Sequence, residues 1–109
     1  MGYDNYYTLA IQSLSFSLQK ASQVPEMGDL LKYVKATAKW YTLGIHLGLK
    51  YNKLEAIRKN NSNDNEAALL EVFRAWLDNA QDLSWNIIVK ALKDTELTVL
   101  ASEIDAKFC

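Results

Sequence analysis

Lys39-Trp40-Tyr41-Thr42-Leu43-Gly44-Ile45-His46-Leu47-Gly48-Leu49 is the stretch on which the reading of this chain turns. Trp40, Leu43 and Leu47 recur at i, i+3 and i+7, the spacing of one face of an α-helix. Gly48 follows where that helix should stop, because glycine takes the left-handed backbone of a C-terminal cap without steric cost. Gly44 lies inside the same helix. There a glycine either admits a neighbouring helix closely or weakens the helix by about 1 kcal/mol. His46, the one histidine of the chain, falls on the surface or boundary side, since Trp40, Leu43 and Leu47 take the inner face.

Toward the C-terminus the same period continues. Asn52-Lys53-Leu54-Glu55 predicts a capping box that opens a short helix, with Leu54 and Ile57 pointing inward. Asn60-Asn61-Ser62-Asn63-Asp64-Asn65 predicts a loop, because these side chains compete for the bonds a helical backbone would make. Leu69, Leu70, Phe73, Trp76 and Leu77 then form one apolar stripe, opposite Glu66, Glu71, Arg74 and Asp78. Ser84 is an expected N-cap for a helix carrying Trp85, Ile88, Val89 and Leu92. A final helix carries Leu97, Leu100, Ala101, Ile104 and Phe108.

Toward the N-terminus, Asp29 is the expected N-cap of a helix whose apolar face is Leu30, Leu31, Val34 and Ala38. Before it, Tyr7, Ile11, Leu14 and Leu18 recur at helical spacing, although Leu14-Ser15-Phe16-Ser17-Leu18 alternates as a strand does. Pro25 sets the boundary. The expected fold is therefore all-α. Residues 26–109 form a six-helix antiparallel bundle, and residues 1–25 form an N-terminal extension, an added helix or a linker. The expected core is Trp40, Leu43, Leu47, Leu54, Ile57, Leu70, Phe73, Trp76, Trp85, Leu92, Leu100 and Ile104. Each stands in phase with other apolar residues, so the three tryptophans are read as scaffold rather than binding surface.

Composition narrows the function. The chain has 109 residues, half of them hydrophobic, and a formal net charge of −1. That length suits one domain with a real core, and that charge disfavours generic binding to nucleic acid or anionic membrane. The one cysteine, Cys109, has no intramolecular partner and cannot build a thiolate metal cluster. A reducing, cytoplasmic setting is expected, either in the cytoplasm or as the cytoplasmic part of a larger membrane protein. No apolar run approaches the roughly 20 residues of a membrane span, so direct membrane insertion is not expected. The first 20 residues lack the basic start and unbroken apolar run of a secretory signal. There is no glycine-rich phosphate loop, no nucleophile motif and no paired histidines or cysteines. The chain is read as non-catalytic, with no cofactor, metal or small-molecule substrate. Asp94 and Glu96 flank a helix start, where dipole and capping account for them.

The anchors also occur in a particular order. Trp40 and Leu43 precede Leu47-Gly48-Leu49; Leu54 and Ile57 follow, then Leu69-Leu70 with Trp76, Ala91-Leu92, and Leu100-Ala101 with Ile104. This order resembles the death domain family. The resemblance covers roughly Glu26 to Phe108 and is distributed rather than carried by one signature. Gly44 departs from it, standing where alanine is common. The resemblance implies a six-helix death fold that joins like with like, another death domain or a second copy of itself. It implies signalling of the apoptotic or innate-immune kind.

Charge is unevenly divided. From Asp29 to Lys59, seven basic residues face two acids, a balance of +5; from Asn60 to Cys109, four basic residues face nine acids, a balance of −5. A module with a basic half and an acidic half can meet a copy or relative head to tail. Lys50, Lys53, Arg58 and Lys59 are the expected basic contact face, and Asp64, Glu66, Glu71, Asp78 and Asp82 the acidic one. Simple solvation of a surface is the competing account, since exposed ion pairs contribute little one by one. The rival function is nucleic-acid binding by Lys32, Lys35 and Lys39, which recur at near-helical spacing. The acidic second half opposes it. Residues 3–18, rich in tyrosine and aliphatics, are expected to pack on the bundle or to dock a partner.

Overall fold

Six helices account for most of the described residues: α1 Met27–Tyr33, α2 Trp40–His46, α3 Tyr51–Asn60, α4 Asn65–Asn79, α5 Trp85–Asp94 and α6 Thr98–Phe108. They are seen in a computed structural model that describes residues 24–109, and no strand occurs among those residues. The expected helix over residues 3–24 falls almost wholly outside the described part.

α4 is the axis of the bundle: α1, α2 and α3 all pack on it, α2 also meets α3 and α5, and α5 and α6 form a close hairpin. The core that results is continuous, from Leu30 and Val34 through Leu43, Leu54, Phe73 and Trp76 to Ile88, Leu92 and Ile104. Ten of the twelve expected core residues are buried, whereas Leu70 and Leu100 are only half-buried. The correction in α4 is one of phase. Leu69, Val72, Phe73 and Trp76, at i, i+3, i+4 and i+7, are the large buried residues, with Ala68 and Ala75 beside them. Leu70 lies about 100° round the helix from Leu69 and so sits at the margin. Along α6, Ala101 and Ile104 take the inner face, and Leu100 packs against the core only from its edge.

Three helix starts differ from expectation. α1 begins at Met27, two residues before Asp29, and Glu26 stands at its N-cap with no side-chain bond. After Tyr33 the backbone turns extended at Val34. Val34 thereby enters the core, while Leu31 stays 38% exposed and Ala38 lies on the surface outside any helix. α3 begins at Tyr51 with Lys50 at its N-cap. Asn52 is then already inside the helix, so the expected capping box does not form. α4 is capped by a residue read only as loop: Asp64 accepts from the Ala67 N–H at 3.0 Å. Ser84 does cap α5, accepting from the Ile87 N–H at 3.4 Å.

The two glycines of the opening stretch have separate roles. Gly48 has φ +89°, a left-handed conformation that lets the chain leave α2. Gly44 is buried, and a Cβ there would lie 2.5 Å from Cδ2 of Leu54. It lets the Leu54 side chain of α3 press against the backbone of α2.

Candidate protein-interaction surfaces

α3 buries Leu54 and Ile57, which fixes where its other side chains face. Tyr51, Glu55 and Arg58, at i, i+4 and i+7, run along the edge beside α2. There Tyr41 of α2 donates its hydroxyl to Glu55 Oε2 at 2.6 Å. Arg58 Nη1 lies 3.5 Å from the same oxygen, and the guanidinium sits 4.3 Å from the centroid of the Tyr41 ring. The Tyr41 hydroxyl is pushed up to about 12, first by its bond to Glu55, then by burial and the negative charge of Glu55, with Arg58 opposing. The result is a cation that is 59% exposed yet held in place by a ring and a carboxylate. Such an arginine loses little side-chain freedom when it meets an anion.

The other expected basic residues are not beside it. Lys50 and Lys53 line a hollow of about 460 Å³ together with Leu49, Trp76, Asn79 and Ala80, so the start of α3 lies against the end of α4. Lys59 is exposed, beyond Arg58. Arg58 borders a second hollow of about 370 Å³ with Trp40, Tyr41 and the Asn61–Asn65 loop. The basic set thus occupies two regions.

The acidic set is also spread along α4. Asp64 caps its start and Asp78 lies in its last turn, about 20 Å further along the axis at 1.5 Å per residue. Asp82 is exposed beyond the end, and Glu66 is exposed near the start. Glu71 is half-buried and accepts a short hydrogen bond from the Asn61 side-chain amide. Arg74, at i+3 from Glu71 and i−4 from Asp78, places a cation between them. Because α3 and α4 run antiparallel, Arg58 lies near the Asp64 end, and Lys50 and Lys53 near the Asp78 end. Along α3 and α4, basic residues thus lie near the acidic end-residues at both ends.

By its sequence Glu55 belongs to a capping motif, and no local pattern marks Tyr41 or Tyr51. Fourteen residues separate Tyr41 from Glu55, so no local pattern links them. The lysines of the nucleic-acid reading do not share a helix: Lys32 is in α1, but Lys35 and Lys39 lie on the link to α2. Among the described residues there is no group of histidine, cysteine or acidic side chains able to hold a metal, and no helix long and apolar enough to cross a membrane. Burial, and then the hydrogen bond and charge of Asp105, push the Cys109 thiol up, away from the reactive thiolate.

No curated protein and no solved structure matches the chain. A family model described as Death domain matches residues 26–108, spanning all six helices. The match covers most of the chain and meets an all-α bundle of six helices, so the protein belongs to the death domain family.

Proposed function

We propose that this chain joins another death domain, or a second copy of itself, through contacts between residues of opposite charge. Death domains are non-catalytic interaction modules of signalling pathways; the apoptotic or innate-immune kind of signalling, in the cytoplasm, is the setting proposed for this one. Lys50, Lys53, Arg58 and Lys59 supply the basic contacts, and Asp64, Glu66, Glu71, Asp78 and Asp82 the acidic ones. No cofactor or small-molecule substrate takes part. The observation that carries this reading is Arg58, exposed but fixed over Tyr41 and against Glu55. Interface hot spots are rich in arginine and tyrosine, and a pre-placed guanidinium binds carboxylates at low entropic cost.

The test is the double reversal Arg58→Glu with Lys59→Glu. Both side chains are exposed, so the helical circular dichroism should persist. Association, with itself or with a death-domain partner, should weaken by a factor of about 100 or more, because like charges then face each other. Unchanged association would remove the proposal.

A further inference from the structure

A third surface lies away from those contacts, at the turn between α5 and α6. Val99 is 74% exposed there, the most exposed of the large hydrophobic residues described. It lines a hollow of about 440 Å³ with Leu97 and Leu100, bordered by Glu96 and Glu103 and, on the α1 side, by Lys35. Neither glutamate has a cation within 4.0 Å among the described residues. Glu96 also stands at φ 66°, a left-handed backbone that is uncommon for a residue with a side chain.

The complement is at the start of α3. Tyr51 is 69% exposed and stands between Lys50 and Lys53. The first turn of α3 contains no acid, and no side chain caps its free N–H groups. Two cations at a helix N-terminus oppose the helix dipole. A carboxylate arriving from outside relieves that opposition. One surface is thus an exposed aromatic flanked by two lysines, and the other an exposed apolar hollow bordered by two glutamates.

We infer that Tyr51, with Lys50 and Lys53, seats in the Val99–Leu100 hollow of a second copy of this chain, where Glu96 and Glu103 meet the lysines. This rests on the like-with-like reading above and shares Lys50 and Lys53 with it, but adds Tyr51 as the anchor and replaces the acidic partners by the Val99–Leu100 hollow with Glu96 and Glu103. The two surfaces are different, so the contact is head to tail and leaves a free hollow on one copy and a free Tyr51 surface on the other.

Two variants separate the surfaces: Tyr51→Ala removes the anchor, and Val99→Lys puts a cation in the hollow. Both sites are exposed, so both proteins should fold. The full chain is followed by sedimentation equilibrium in low salt up to about 1 mM. The wild type should self-associate, and each variant alone should do so about tenfold or more weakly. An equimolar mixture should recover dimers of wild-type affinity, because each variant keeps the surface the other lacks. A wild type that stays monomeric overturns the inference, while binding of a different death domain, lost on Arg58→Glu with Lys59→Glu, would leave the functional proposal standing. Variants that associate like the wild type also overturn it. Loss on Tyr51→Ala and Val99→Lys with no loss on the Arg58 and Lys59 reversals supports it and sinks the other contact set.

Discussion

Tyr41 shows how one residue can look like scaffold and act at the surface. It adjoins Trp40, edge to face at a centroid distance of 5.5 Å, yet its hydroxyl reaches Glu55 and its ring carries Arg58. Its titration gives a test. The phenol ordinarily ionises near 10.0 and here near 12, so between those values the folded state keeps a proton that the unfolded state has lost. The bond to Glu55 therefore contributes fully below pH 10.0, and that contribution disappears as pH rises through about 12. Tyr41→Phe should flatten this fall. Urea denaturation from pH 9.5 to 12 would show the wild type losing stability more steeply than the variant; parallel curves would mean that the bond does not hold in solution.

Among the elements, the caps divide the helices into two kinds. α4 and α5 are capped by Asp64 and Ser84, whereas α1, α2, α3 and α6 have no side-chain cap. The uncapped helices are held by the apolar residues they bury, consistent with helices this short being unstable alone. Asp64→Ala should cost about 1 kcal/mol, and Ser84→Ala rather less because its bond is longer. Urea midpoints would check both, and a neutral Asp64→Ala would show that α4 is fixed by packing alone. Of these caps only Ser84 was legible, as a lone serine directly before an apolar run. Asp64 is hidden inside a row of equally good capping residues, and Asn52 looks like a cap but stands two residues past the N-cap position, which Lys50 holds.

At the scale of the whole molecule, the two ends of the bundle are joined by aromatic rings. Phe108 stacks on Trp85 of α5 at 3.8 Å with the planes 7° apart, and meets Tyr33 of α1 edge to face at 5.2 Å. Lys32 and Lys107 sit over the Tyr33 ring at 5.3 and 5.1 Å. The last turn of α6 thus closes the fold against α1. Phe108 is half-buried, so Phe108→Ala should cost about 2 kcal/mol, less than for a fully buried ring. For a domain of this size that lowers Tm by roughly 10 °C. An unchanged Tm on calorimetry would mean that α6 is held by Ala101 and Ile104 alone.

Six helices, the polar loop after α3, the stop at Gly48 and most of the core are legible in the order of the residues. These follow from period, capping chemistry and backbone sterics, all of which act over a few residues. Tertiary structure alone decided the rest. Leu69 and Val72 take the centre of α4 and Leu70 its margin, because the angle at which α4 meets three neighbours chooses among adjacent apolar positions. Gly44 is an approach point because Leu54 lies across from it. The two charge groups, divided along the chain, come together at both ends of the α3–α4 pair because these helices are antiparallel. Tyr41, Glu55 and Arg58 become one cluster because α2 and α3 pack side by side. Contacts between residues far apart in the chain depend on how helices cross, and no local pattern of side chains encodes that.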